Sequence, residues 1–399
     1  MVIGCTRPTE AQVRPGIEVL LSDSIHLVRG KRLGLLTNQT GVDRHGTRDA
    51  DLLIADGLSL MAVFSPEHGF RGLEDRPGLP DAIDSATHVP IYSLYGGSRA
   101  AAARALDSIA VLLVDLQDIG ARYYTYIATT TSLMRQASAR GLPVVILDRP
   151  DPIGGTLVQG NARAEVGNPD SELVGFLPVA MRHGMTLGEL ARMANDRLGL
   201  GATLTIVPAS GWVRRLAFDS TGLPWIKPSP NMPSLESAFH YPGICLFEGT
   251  NLSVGRGTTL AFQVIGAPWL DLPRLRAYLE GEGSGDRSAL VGVEVKDTAF
   301  TPRSPTDGKY DGVPLPGLRF RVTDRALYDP TLLAVALLTA LRAVHPDSFR
   351  FRDASFDGLA AGPELRAAVL AGRRAPDIWR TWSEPLARFR RARAKYLVY

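Results

Sequence analysis

Two cysteines, Cys5 and Cys245, are too few in a chain of 399 residues for a disulfide framework or a thiolate zinc site. No apolar run approaches the roughly 20 residues of a membrane-spanning helix. An excess of one charge is missing as well: 44 Lys+Arg stand against 41 Asp+Glu, a formal net charge of +3. The basic residues are scattered, which argues against a nucleic-acid footprint. Several signatures of catalysis are also absent. No G-x-S-x-G occurs, since Ser98 follows two glycines but precedes Arg99, so a nucleophile elbow is excluded. No H-E-x-x-H occurs, and the seven histidines (26, 45, 68, 88, 183, 240, 345) show no ligand spacing. The loop Gly255-Arg256-Gly257-Thr258 lacks the Lys-Ser/Thr ending of a phosphate loop, and Leu260 replaces the third glycine of a dinucleotide fingerprint. Asp115, Gln117, Asp118 and His68 could be grouped as metal ligands, but no metal and no cofactor is expected.

What remains is an ordinary globular composition, 45% hydrophobic and 21% charged, at a length that suits two domains. Four short apolar runs each end at polar residues: Leu33–Leu36 at Thr37-Asn38, Leu60–Phe64 at Ser65-Pro66-Glu67-His68, Ile109–Val114 at Asp115, and Val144–Leu147 at Asp148. Continuous apolar runs of this length fit parallel strands buried on both faces. Helical patterns at 47–55, 99–106 and 126–140 alternate with them, and Gly141 is a stop signal for the last. Thr186 with Glu189 is a capping box opening a helix to Leu198, and Leu204–Val207 reads as another strand. Four prolines between Pro224 and Pro233 enforce a shaped loop that holds Lys227 and Asn231.

Beyond that loop the alternation stops. Strands are expected at 258–264 and 318–322, and helices at 273–279, 330–345 and 379–399, the last with Arg388, Arg390, Arg391 and Arg393 on a solvated or salt-bridged face. The fold class is therefore α/β, a Rossmann-like doubly wound sheet over residues 14–243 followed by a smaller α+β domain over 244–399, with the active-site cleft between them. Residues 1–13 form a tail. Val2-Ile3-Gly4-Cys5 resembles the end of a bacterial lipoprotein signal, without the apolar region upstream, so Cys5 is a candidate lipid anchor and the stretch from Thr6 to Val13 a tether. Cys245, in an apolar run, reads as a buried small hydrophobe.

In open α/β sheets ligands sit outside the carboxyl ends of the strands. Those ends carry Asn38, Glu67-His68, Asp115-Leu116-Gln117-Asp118 and Asp148-Arg149. Strands about 4.8 Å apart would set such carboxylates roughly 5–10 Å from one another, the range in which paired carboxylates cleave glycosidic bonds. Acids at strand ends also cap the following helix, and each of these carries that alternative. Arg122, Tyr123 and Tyr126 follow the third strand, where aromatic faces with polar tips suit sugar rings as well as a core. Glu248, Asn251 and Arg256 share the glycine-rich loop, which reads equally as a plain turn. Arg71 could hold an anionic substituent or a surface carboxylate.

Taken together these stretches resemble the NamZ-type exo-β-N-acetylmuramidase family, long known only as a domain of unknown function. The matching residues are Gly34–Gly41, Pro66–Gly72, Asp115–Tyr126, Asp148–Pro152, Pro228–Pro233, Tyr241-Pro242-Gly243, Glu248–Asn251 and Gly255–Thr258, and the resemblance runs from about residue 14 to Tyr399. It implies a periplasmic or secreted enzyme that releases N-acetylmuramic acid from non-reducing ends of peptidoglycan fragments, with a peptidoglycan-derived saccharide as its partner. Glu67 is then the expected general acid, its proton held by the cleft. The second group stays open between Asp115, Asp118, Glu248 and the substrate's own acetamido group. Arg71, Arg122 or Arg256 would face the lactyl carboxylate. His68 and Asn251 would bind hydroxyls, and Asn38, Gln117, Tyr123, Tyr126, Asp148 and Asn231 complete the expected site. A non-catalytic sugar-binding protein and another peptidoglycan hydrolase or esterase are the alternatives.

Overall fold

The computed structural model describes residues 12–72, 74, 78–281 and 287–399. Residues 1–11 of the expected tail, Cys5 among them, lie outside the described residues; Val13 is buried against Ala209 and Trp212 and donates its N–H to Thr221, so it belongs to the packed body.

The first part is a seven-stranded sheet in the order β3 (Ala82–Ile83), β4 (Pro90–Ser93), β2 (Ser59–Ser65), β1 (Arg32–Thr37), β5 (Val111–Asp115), β6 (Val144–Leu147) and β9 (Leu204–Val207). All neighbours are parallel except β3 with β4. The pleat sends alternate side chains to opposite faces, and both faces are apolar. Leu33, Leu35, Val63, Val111, Leu113, Val145 and Leu147 pack under α1 (Gly16–Asp23) and α2 (Asp49–Ala55). Leu36, Phe64, Leu112, Val114, Val144 and Ile146 pack under α3 (Arg99–Ser108), α4 (Tyr126–Ser138) and α5 (Leu187–Arg197). Helices cover both faces, which makes the sheet doubly wound. The strand order reverses at β1, whose last residue Thr37 lies opposite Asp115 of β5; that edge is where such a sheet opens its crevice. A two-stranded ribbon, β7 (Gln159–Ala162) with β8 (Ala180–Arg182), lies between β6 and β9 in sequence.

The smaller part holds an antiparallel sheet in the order β10 (Val264–Gly266), β12 (Leu315–Val322), β11 (Val293–Phe300), with α6 (Leu235–Ile244), α7 (Leu272–Leu279), α8 (Pro330–Val344), α9 (Asp353–Ala360), α10 (Glu364–Leu370), α11 (Ala375–Arg380) and α12 (Ser383–Arg393). Helix α8 starts at Pro330 because Asp329 accepts from the N–H groups of Thr331 and Leu332. Helices α6 and α8 cross at Gly243, where a Cβ would lie 1.9 Å from the carbonyl oxygen of Pro330. One apolar core runs through both parts, from Leu112 and Tyr123 to Phe239, Ile244, Leu333 and Leu337.

Two expected elements differ. Residues 258–263 form turns, since Gly255, Gly257 and Phe262 all have left-handed backbones with φ of 81°, 75° and 63°, and the strand begins at Val264. The C-terminal helix breaks between Arg380 and Ser383, because Pro385 fits the first turn of a new helix and not the interior of a continuous one. Its arginine face is not simply solvated: Arg388 pairs with Glu384, whereas Arg390 and Arg393 donate to the carbonyls of Val158, His183 and Gly184 and fasten α12 to the first part.

Candidate active site

A cleft of about 430 Å³ opens between the two parts at the carboxyl edge of the parallel sheet. One wall comes from the loops after β2 and β5, bringing Glu67, His68, Tyr123, Tyr124, Thr125 and Tyr126. The opposite wall brings Tyr241, Cys245, Glu248, Arg256, Phe262, Asp307, Arg352 and Ser355, and the proline loop adds Ser229 and Asn231.

Glu67 stands two residues past β2, half-buried. His68 after it adopts a left-handed backbone, with φ of 71°, and its Nδ1 lies 2.9 Å from the carbonyl oxygen of Glu74. A non-glycine residue held there costs energy that the surrounding structure must offset, and such residues gather at active sites. Phe262 across the cleft is held the same way. Thr125 is the N-cap of α4, yet its hydroxyl makes no cap bond; it donates to Glu67 Oε2 at 2.8 Å.

The floor is aromatic. Tyr124 meets Tyr126 edge-on at 4.8 Å and Tyr241 at 6.1 Å, and Tyr241 packs against Phe262 at 4.6 Å. The Tyr126 hydroxyl donates to the carbonyl of Pro228 and accepts from Asn38 Nδ2 at 2.8 Å. This bond, with those from Gln39 Nε2 to the carbonyls of Lys227 and Pro228, pins the proline loop over the site. The Tyr124 hydroxyl is buried beside Ser229 and the Tyr126 hydroxyl. Burial pushes the Tyr124 and Tyr126 hydroxyls, and the Cys245 thiol, up from their ordinary values, which keeps them protonated.

Glu248 follows α6 in a short 3-10 turn (Cys245–Gly249) and forms an ion pair with Arg256. Cys245 Sγ donates to its other oxygen at 3.6 Å. Arg352 projects exposed into the same wall, and its guanidinium makes no hydrogen bond or ion pair among the described residues.

Several expected site residues do not reach the cleft. Asp115 is fully buried in an ion pair with Arg149, whose Nη2 lies 3.0 Å from Asp115 Oδ2, and beside Asp49. Asp148 caps α5, accepting from Gly188 N at 2.9 Å, from Thr186 Oγ1 at 2.6 Å and from the Tyr399 hydroxyl at 3.0 Å. Asp118 accepts from Gly120 N at 2.8 Å beneath the floor, and burial pushes its carboxyl up to about 7. Gln117 donates to the carbonyls of Asp118 and Pro150. Arg122 is enclosed, giving its guanidinium to the carbonyls of Asn161 and Leu359. Asn251 ties its loop to Ser348 and Arg350, and exposed Arg71 bonds Ser85. Asn38 acts through Tyr126. The metal grouping dissolves, because His68 lines the cleft while Asp115 is sealed against Arg149; among the described residues no three His, Cys, Asp or Glu side chains could hold an ion together.

Two adjoining family models match nearly the whole chain, described as exo-β-N-acetylmuramidase NamZ, N-terminal, over residues 33–236, and C-terminal, over residues 239–399. The chain belongs to the NamZ family. Its similarity to the peptidoglycan β-N-acetylmuramidase NamZ of Bacillus subtilis (strain 168) is 37% identity over 392 residues, 97% of this chain and 92% of that protein. Two crystal structures of DUF1343 family proteins from Bacteroides fragilis NCTC 9343 share the fold. BF0371 superposes with a TM-score of 0.86 at 32% identity, covering 97% of this chain and 99% of that one. BF0379 does so with a TM-score of 0.76 at 31% identity, over 98% and 99%. The two NamZ models meet inside α6, the helix that leads from the sheet side of the cleft toward Glu248.

Proposed function

We infer that the cleft is where this NamZ-family glycoside hydrolase works: it releases N-acetylmuramic acid from the non-reducing ends of peptidoglycan fragments, with Glu67 as general acid. The observation that carries the assignment is Glu67 itself, a carboxyl on a strained loop at the carboxyl edge of the sheet, held by Thr125 and lining one aromatic cleft with a second carboxylate, Glu248. Glu67 protonates the departing glycosidic oxygen. Glu248, its charge opposed by Arg256, steadies the positive charge that grows at the anomeric carbon or orients the acetamido group. The tyrosine floor takes the apolar face of the ring.

Muramic acid differs from glucosamine by a lactyl carboxylate. Arg352 is the cation that supports recognition of it, since Arg256 is engaged with Glu248. The purified protein should hydrolyse a chromogenic β-N-acetylmuraminide and leave the matching glucosaminide almost untouched. Arg352→Met should raise KM for the muraminide by about tenfold, the order expected for one charge-assisted hydrogen bond at an exposed site, with little change toward the glucosaminide. An equal effect on both substrates would remove Arg352 from the lactyl group, and cleavage of neither would remove the muramidase reading. The substrate belongs to the envelope, which supports a periplasmic or secreted place of work; the mass of the mature N-terminus would show whether Cys5 carries lipid.

A further inference from the structure

Lys309 is an internal lysine with a side chain only 3% exposed. Its ammonium donates to three backbone carbonyls, those of Phe247 at 3.4 Å, Glu248 at 3.0 Å and Leu252 at 2.9 Å. An ammonium has three protons, so the three carbonyls exhaust it. Those carbonyls belong to the segment past α6 that carries Glu248 into the cleft, and that of Phe247 also accepts from Thr250 N and Oγ1. The loop that supplies Lys309 is fitted to the same segment elsewhere: the Tyr310 hydroxyl donates to the carbonyl of Asn251 at 2.7 Å, and Arg303 N donates to Gly257 at 3.2 Å. Gly257 permits this approach, since a Cβ there would lie 2.4 Å from the Arg303 carbonyl oxygen. Two residues before Lys309, Asp307 reaches the cleft wall.

We propose that Lys309 is a positioning residue for the muramidase site, its charged ammonium fixing the backbone around Glu248 so that the Glu248 carboxylate meets Arg256 and the sugar at one set distance. The proposal rests on the cleft being the active site.

The charged groups facing Lys309 are Asp307, 3.7 Å away, with Glu248 on the attractive side and Arg256 and Arg352 on the repulsive side. Burial outweighs the attraction and brings the ammonium down to about 8. Above that pH a neutral amine with two protons faces three carbonyls, and the hold on Glu248 loosens. Stability responds in the opposite direction. A lysine with a folded pKa near 8 and an ordinary value of about 10.4 releases its proton sooner when folded. This group alone therefore makes folding more favourable as pH rises between those values. Loss of positioning above pH 8 thus comes without a loss of stability from the same residue, which a merely structural role would not produce.

The test is the pH profile of kcat, from 6.5 to 9.5, for wild type, Lys309→Met and Lys309→Arg with an activated aryl muraminide. Such a leaving group needs little proton transfer, so Glu67 contributes little to the alkaline limb. Expected for Lys309→Met is a kcat about tenfold to a hundredfold lower, the range for a small misplacement at a catalytic centre, with the limb near pH 8 gone. Lys309→Arg, which stays charged, should keep more activity and carry the limb to higher pH. Thermal melts along the same series should show no wild-type loss, relative to Lys309→Met, as pH rises past 8. A wild-type kcat independent of pH up to 9.5, or a Lys309→Met enzyme with wild-type kcat and profile, would overturn the proposal. If Lys309→Met does not fold, the limb decides between wild type and Lys309→Arg: shifted upward it supports the proposal, unmoved it defeats it. A wild type inactive on every muraminide would instead defeat the assignment of the cleft.

Discussion

Replacing Glu67 by Gln changes one oxygen into an amide at almost constant volume. Thr125 donates to Glu67 Oε2 at 2.8 Å, and the amide oxygen of Gln can accept the same bond. Glu67 is half-buried and makes no ion pair among the described residues, so the amide leaves no cation without its partner. The stability change should stay within about 0.5 kcal/mol, as for surface substitutions away from special features. Turnover should respond very differently. A positioned general acid contributes about 10²- to 10⁴-fold, and at about 1.36 kcal/mol per tenfold its loss raises the barrier by roughly 3–5 kcal/mol. The effect depends on the bond being broken. A disaccharide leaves as a sugar alkoxide that must be protonated, whereas an activated aryl group departs nearly unaided. The assay is therefore kcat/KM on both substrates, with melting curves beside it. The disaccharide should lose at least about a hundredfold and the aryl muraminide far less. Equal losses on the two would refute the role of acid, and wild-type rates on the disaccharide would remove Glu67 from the chemistry altogether.

Asp115→Asn should do the reverse, leaving Arg149 as a buried cation without its partner at a cost of about 3–5 kcal/mol; urea unfolding would measure it, and an unchanged midpoint with lost activity would return Asp115 to the site. Asp118 tests the pH dependence of the fold. Its folded pKa of about 7 exceeds the ordinary value near 3.8. The folded chain thus binds the proton more tightly, and stability from this group, fully present below pH 4, is lost as pH rises through 7. Asp118→Asn should gain in melting temperature against wild type between pH 5 and 8, and a constant difference would count against a buried, protonated Asp118. Gly243→Ala should destabilise by about 1–3 kcal/mol, the usual cost of overpacking, because α6 and α8 have no room for a methyl group where Pro330 closes on Gly243; a normal unfolding midpoint would show that the helices can part.

The sheet was legible because strands buried on both faces must be apolar at every position, and the runs at 33–36, 60–64, 111–114 and 144–147 have that character. The capping box at Thr186 is a local code and is present. Which strand-end acids face the ligand was not legible. Asp115 is the last residue of β5 and Asp148 directly follows β6, so both remain inside the layer, where Arg149 and the start of α5 engage them. Glu67 lies two residues further, on the loop that rises above the sheet. Sequence separates these cases by one or two positions, less than the uncertainty of a strand boundary. Tyr241 lies in the Tyr-Pro-Gly stretch shared with the family, which by itself names no role for the ring. Arg352, Ser355 and Asp307 carry no periodic or motif signal at all; only the packing of distant segments makes them neighbours of Glu67. The muramic preference entered through resemblance, and Arg71 and Arg122, the two arginines expected to serve it beside Arg256, have other partners.

The apolar core that continues from the parallel sheet through α6 into α8 has a kinetic meaning. Large hydrophobic contacts between two parts of a chain suppress their relative motion, so the walls of the cleft meet the sugar already in place. A rigid receptor spends little ordering itself and binds quickly. It also makes scarcely any distinction between the terminal residue of a chain and the same residue once freed. Released muramic acid should therefore linger in the cleft and compete with the next chain end, so the enzyme would run fastest where another activity removes its product.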